Sequence, residues 1–144
     1  MPIAAVDFFR GAALSLVLGH PAFQGIKPLD PGRGRFLVNS GLHLWLRHSK
    51  EKSPWHFTFS PEDLADLAAE LGKGQRTCLG LVCGRDAVCA LDNNEIGQAL
   101  ALERAQEQTI TVTRVPGRQC RVSGPGGEVS GLIPGNAFPA KLFG

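Results

Sequence analysis

The stretch Trp55-His56-Phe57-Thr58-Phe59-Ser60-Pro61-Glu62-Asp63 constrains the fold of this chain more than any other. Trp55, Phe57 and Phe59 alternate with His56 and Thr58, so three large aromatic side chains share one face of a strand. Ser60 then offers a hydroxyl to the first free amides of a helix. Pro61 suits the first helical position, and Asp63 falls where the acid of a capping box belongs. A strand therefore gives way directly to a helix, and its aromatic ridge must be covered. The helix begun at Pro61 and a helix at the N-terminus are the elements expected to cover it.

The other elements follow from periodicity and from glycine and proline punctuation. Residues Ile3 to Leu18 are apolar nearly all round a helical wheel, which predicts a helix enclosed on more than one side and ended by Gly19-His20-Pro21. Lys27 to Gly32 reads as a loop, Arg35 to Asn39 as a strand, and Asn39-Ser40-Gly41 as a turn. Leu42 to His48 then alternates, with Leu42, Leu44 and Leu46 on one face and His43, Trp45 and Arg47 on the other. Ser49 to Pro54 is a loop. The helix from Pro61 carries Leu64, Leu67, Ala68 and Leu71 and should end at Gly72. Thr77 to Cys83 reads as a strand buried on both faces, returning through Gly84-Arg85-Asp86 into Ala87 to Leu91 as a hairpin.

Asp92 and Glu95 mark a second capping box, with a helix expected to reach about Ala105. The last third is β-rich: Thr109 to Val115, Gln119 to Ser123 and Glu128 to Ile133 are strands, and Phe138 with Leu142-Phe143 packs back on the core. The fold class is a single α+β or α/β domain, residues 1–144, with a central mixed sheet flanked by about three helices in the order α-β-β-β-α-β-β-α-β-β. Residues 3–105 form its α/β core and 106–144 a β-rich extension.

Composition bounds the function. The net charge of +2 is too small to imply nucleic acid except through a local patch. The cysteines at 78, 83, 89 and 120 form no Cys-x-x-Cys pair, and three sit among Leu, Val and Ala. They read as buried, reduced thiols of a cytoplasmic protein. The apolar run from Gly11 to Leu18 follows Asp7 without a lysine-rich flank and is too short to span a membrane, so it reads as neither a secretion signal nor an anchor. No cofactor motif is present: Gly124-Pro125-Gly126-Gly127 lacks the helix and Lys-Ser/Thr of a phosphate loop, and Gly32-Arg33-Gly34-Arg35 precedes a strand instead of a helix.

Three groups of residues could carry chemistry. His43, His48 and His56 lie on two strands expected to be neighbours, and with Asp7 they give an enzyme reading in which Asp7, His43 and His56 form an unorthodox metal-dependent site. Trp45, Arg47 and His48 make a basic, aromatic face followed by Lys50 and Lys52, and Arg114, Arg118 and Arg121 make another in the C-terminal hairpin. Arginine beside tryptophan and histidine holds phosphates and stacks bases, so these six residues are the candidate surface for nucleic acid or another protein. Arginine and lysine on strand edges also serve simply to prevent edge pairing. A third reading makes an exposed Trp45 face the interface of a homo-oligomer.

The order helix, three strands, helix, strand over residues 3–91 resembles the core of the restriction-endonuclease-like nucleases. That resemblance implies an acid near the second strand and a Glu/Asp-x-Lys on the third, holding metal and water. Leu44-Trp45-Leu46-Arg47 offers no carboxylate, and neither does His56-Phe57-Thr58. The resemblance therefore implies a member that has lost its metal ligands. The Trp-x-Phe-x-Phe and Leu-Val-Cys-Gly segments are also similar to those of small bacterial proteins, a likeness that implies no activity. The expected function is a non-enzymatic bacterial interaction protein that binds nucleic acid or another protein. A nuclease or hydrolase and a homo-oligomeric structural protein are its alternatives.

Overall fold

The computed structural model describes residues 3–50, 52–114 and 119–144. Its elements are α1 (Ala5–Leu18), β1 (Ile26–Asp30), β2 (Arg35–Val38), β3 (Leu42–Ser49), β4 (Trp55–Phe59), α2 (Pro61–Gly72), β5 (Arg76–Cys83), β6 (Ala87–Leu91), α3 (Asn93–Ala99), β7 (Gln108–Thr113), β8 (Arg121–Gly124) and β9 (Gly127–Glu128). The fold is a mixed α+β domain with two sheets. One is five-stranded, ordered β1-β2-β3-β5-β6, and the other four-stranded, ordered β4-β7-β8-β9.

The five-stranded sheet is mixed because β3 and β5 run parallel, with Leu42 opposite Arg76 and Ser49 opposite Cys83. Their connection leaves the sheet through β4 and returns through α2, the long crossover that parallel strands require. β2 and β3 form a hairpin whose three-residue connection, Asn39 to Gly41, holds Asn39 at φ 52° and Ser40 at φ 62°. That conformation suits the strand twist, and asparagine tolerates it best among non-glycine residues. The Asn39 side chain also accepts from the backbone amides of Gln24 (2.7 Å) and Gly25 (3.1 Å) and donates to Ala22 O (2.8 Å), fastening the approach to β1.

β1 is the strand absent from the sequence reading, which placed a loop at Lys27 to Gly32. Pro28 cannot donate to a ladder, but β1 is an edge strand and pairs only with β2, so the missing donor is harmless. A second correction concerns β4. His56 does not lie on a strand adjacent to His43, because β4 starts the second sheet and pairs with β7. β7, β8 and β9 thus complete the sheet that β4 begins. A third concerns α3, which stops at Ala99 instead of continuing to Ala105. The Ala99 carbonyl accepts the amide of Gly126 (3.0 Å), and Leu100 is already extended at φ −109°, ψ 138°. A side chain at Gly126 would place its first carbon 2.8 Å from the Leu100 carbonyl, which explains the glycine-rich turn there.

Two cores share the five-stranded sheet. Between the sheets, and beneath α2 and α3, lie Trp45, Trp55, Phe57, Phe59, Leu64, Leu67, Leu79, Leu81, Leu91, Ile96, Ile110 and Val112. Ser60 caps α2 as expected: its hydroxyl accepts the Asp63 amide at 3.1 Å, and the Asp63 carboxylate accepts the Ser60 amide at 3.2 Å. On the opposite face, Phe9, Ala13 and Val17 of α1 pack with Leu42, Leu44, Leu46, Val82, Val88 and Phe138. α1 therefore does not cover the aromatic ridge of β4. Nor is it enclosed on several sides: only Phe9, Ala13 and Val17 are buried, and Phe8, Leu16 and Leu18 are 49%, 49% and 54% exposed. Among the described residues no helix is long and apolar enough to cross a membrane.

Candidate functional site

The parity of β3 places His43, Trp45 and Arg47 on the face turned toward α2. α2 answers with acids at helical spacing, Asp63, Asp66 and Glu70, which share one stripe while Leu64 and Leu67 enter the core. Arg33, in the turn before β2, and Arg35 on β2 approach the same stripe from the edge of the sheet. Glu70 is the hub of one end. Its Oε1 accepts from Arg35 Nη2 (2.6 Å) and from His43 Nδ1 (2.9 Å), and its Oε2 accepts from Trp45 Nε1 (2.9 Å).

Asp63 is the hub of the other end. Oδ1 accepts from Arg33 Nη2 (2.6 Å) and pairs with Arg47 Nη2 (3.1 Å), while Oδ2 closes the capping box. Asp66 links the two ends, at 2.8 Å from Arg33 Nη1 and 3.5 Å from Arg35 Nη1. Arg47 completes the structure by donating through Nη1 to Arg33 O (2.5 Å) and Leu46 O (3.0 Å). The guanidinium carbons of Arg35, Arg47 and Arg33 stand 4.6, 5.3 and 5.8 Å from the Trp45 ring centre.

Electrostatics follow from this geometry. Burial pushes the Asp63 carboxyl up, but the hydrogen bond from Arg33 and the charge of Arg47 outweigh it and hold the group below the usual carboxylate range. Arg33 is held above the ordinary range by its bond to Asp63. Burial lowers Arg47. The site is therefore a closed set of ion pairs at the junction of helix and sheet, with carboxylates already occupied by arginine, histidine and indole donors.

The residues singled out in the sequence separate into several places. Trp45 is fully buried, so it does not present an exposed face to a partner, because α2 and its arginine neighbours cover the ring. His43 and Arg47 belong to the ion-pair network. His48, of opposite parity, faces α1 and stacks on Phe9 with ring centres 5.3 Å apart. Burial, with Arg10 and Lys50, lowers its pKa. Asp7 lies in the first turn of α1, exposed, across the sheet from His43. His56 is exposed on the outer face of β4, where Nδ1 lies 3.2 Å from Thr111 Oγ1. The structure thus does not bring Asp7, His43 and His56 together, and among the described residues no group of three or more His, Cys, Asp or Glu is placed to hold a metal ion.

Arg114 donates from its backbone amide to Ser53 Oγ (3.1 Å) and from Nη1 to Asp86 O (2.8 Å). Arg121 is exposed and stands 3.5 Å from Glu128. Arg118 lies outside the described residues. All four cysteines are free and buried. Burial pushes Cys78 up to about 12 and raises Cys83 too, and Cys89 is raised further by its hydrogen bond with Cys120.

Two features were not singled out in the sequence. The first is the role of Arg33, Arg35, Asp63, Asp66 and Glu70; their signal is the acidic stripe at positions 63, 66 and 70. The second is a groove of about 530 Å³ between α1 and the β5–β6 hairpin. Phe8, Ala12 and Leu16 form one wall, Val88 and Phe138 the floor, and Arg85 and Asp86 the rim. Its size falls in the range of ligand and peptide grooves, and its lining is mostly apolar. Comparison of the chain with protein-family models, with curated proteins and with solved structures yields no match.

Proposed function

We propose that this chain is a non-enzymatic interaction protein whose contact surface is the outer face of α1 and the groove beside it. The observation that carries the reading is the exposure of Phe8 and Leu16, which both line that groove from α1. Apolar side chains gathered around a concavity mark an interaction site, whereas single exposed ones do not. The carboxylates of the β3–α2 junction support the non-enzymatic side, because their oxygens are engaged by arginine, His43 and Trp45. In this reading the likeness to nuclease cores supplies a scaffold, and the buried free thiols favour a reducing, cytoplasmic setting.

An environment-sensitive apolar dye tests the surface. The native protein should bind and brighten it, and Leu16→Glu should remove most of that signal at an unchanged melting temperature. An equal signal from the variant would overturn the placement. The enzyme alternative is tested separately with plasmid DNA in Mg²⁺ or Mn²⁺, where the expected result is uncut plasmid. Cleavage that disappears in His43→Ala would reverse the assignment.

A nucleic-acid form of the reading rests on a different end of the molecule. The bond between the Arg114 amide and Ser53 brings the loop carrying Lys52 to the end of the four-stranded sheet where Arg121 begins β8. Lys52 and Arg121 are both exposed there. Filter binding of DNA and RNA across a salt series measures it: affinity should fall steeply with salt and weaken in Arg121→Ala. No binding even at low salt would remove this form and leave the α1 surface untouched.

A further inference from the structure

We infer that Cys89 and Cys120 are a redox pair, which a hydroperoxide closes into a disulfide between the two sheets. Three of the four thiols converge in one core. On the β5–β6 hairpin Cys89 lies opposite Leu81, and Cys83 is two residues beyond Leu81 on its own strand. Their side chains therefore share the face of the sheet turned toward the second sheet. Cys120 enters the same core from the other side, where it leads into β8 and is bridged to Ile133 by two backbone hydrogen bonds of 2.7 and 2.9 Å. Cys78 has the opposite parity on β5 and lies in the core beneath α1, apart from the other three.

Hydrogen bonding singles out one pair among the three. The Cys83 thiol donates to Leu81 O at 3.4 Å. The Cys89 thiol donates to the Cys120 sulfur, so the two sulfurs a disulfide would join already stand side by side. That bond lowers the Cys120 pKa against the opposing effect of burial, and the charge of Arg114 lowers it further. The same bond raises Cys89. Cys120 is therefore the thiol that ionises first, with a partner sulfur beside it. Access is also better at Cys120. It is flanked by the exposed Gln119 and Arg121 and held by an isolated bridge, so opening two hydrogen bonds admits a molecule as small as hydrogen peroxide.

The chemistry runs in two steps. The Cys120 thiolate attacks one peroxide oxygen, the O–O bond breaks, and Cys120 becomes a sulfenic acid as hydroxide leaves. That hydroxide takes the Cys89 proton. The Cys89 thiolate then attacks the Cys120 sulfur, the S–O bond breaks and the S–S bond forms. The second hydroxide recovers the proton that Cys120 gave up on ionising. Two thiols thus lose two electrons and two protons, and one peroxide becomes two waters. The product ties β6, an edge strand of the five-stranded sheet, to the approach to β8 in the four-stranded one. A dithiol reductant reverses it by exchange.

Hydrogen peroxide treatment of the folded full chain, followed by unfolding, alkylation and peptide mapping, is the test. One disulfide should appear, between Cys89 and Cys120, with Cys78 and Cys83 recovered as alkylated thiols. Dithiothreitol should return all four. The rate should rise with pH about a midpoint below the value of about 8.5 for an unperturbed thiol. Cys83→Ala should form the bond as wild type does, and Cys120→Ala should form none. Cys89→Ala separates the two steps: Cys120 should stop at the sulfenic acid and be captured by dimedone. Four thiols that survive a large excess of peroxide in the folded chain would overturn the inference. So would a disulfide to Cys83, or one that forms only after the chain is unfolded.

Discussion

At the scale of single residues, Glu70 gathers the most consequence into the fewest atoms. It receives Arg35, His43 and Trp45 at 2.6 to 2.9 Å, and its side chain is 9% exposed. Removing one partner of a largely buried ion pair leaves the others uncompensated, at a typical cost of about 3–5 kcal/mol. Glu70→Ala should therefore lower stability by about that amount in urea unfolding, with the Trp45 indole and Arg35 guanidinium both stranded. A loss below about 1 kcal/mol, the ordinary value of an exposed pair, would show that solvent already screens this end of the network. Asp63 illustrates how much of this was legible in the sequence. Its place at the third position of α2, after Ser60, identified the cap. Its bond to Arg33 lies 30 residues away in the chain, and no local pattern encodes which cation arrives. The parity of His43, Trp45 and Arg47 was legible for the same reason as the cap, being a matter of neighbours. What covers that face was not: periodicity says which side chains share a surface, and only the path of α2 says that the surface is closed.

At the scale of elements, the aromatic ridge of β4 was read correctly as a packing surface, but half of its cover was assigned to the wrong helix. Trp55, Phe57 and Phe59 are 1%, 2% and 0% exposed, and their cover is α2 together with the inner face of the five-stranded sheet. Phe57→Ala should cost about 3–5 kcal/mol, because no neighbour in a core between two sheets can move in to fill the space. Near-wild-type melting would contradict that placement. Ser60→Ala belongs to the same junction and should cost only about 1 kcal/mol, the value of a lost N-cap. The ratio between the two losses, measured under one set of conditions, distinguishes packing from capping as what holds the junction. α1 shows the opposite limit of sequence reading. A helix apolar nearly all round suggests enclosure, yet the wheel cannot tell a face buried within the chain from one left open to another molecule. β1 escaped notice because Pro28 suggested a loop, and only its edge position makes the proline compatible with a ladder.

At the scale of the whole molecule, two cores meet across one sheet, and titratable groups brace both sides of it. Asp63 ties α2 to the sheet on one face, and His48 stacks under α1 on the other. Both groups titrate so that acid loosens the structure. Asp63 is held below its unfolded value, so its contribution is complete above the unfolded pKa of about 3.9 and is lost as pH falls through the lower folded value. His48 is also lowered, by burial and then by Arg10 and Lys50, so the folded protein prefers it neutral. Between its folded value and about 6.5 the unfolded chain binds more protons, and stability there rises with pH. Lowering the pH should thus weaken the protein in two stages, first on the α1 side and later at the α2 junction. Melting temperatures of wild type and His48→Gln, followed from neutral pH downward, separate the stages. The variant has no imidazole to charge, so whatever advantage wild type holds at neutral pH should shrink as pH falls below about 6.5. A difference that stays constant with pH would show that His48 is no more reluctant to ionise folded than unfolded, and that the stack on Phe9 compensates for the two nearby cations.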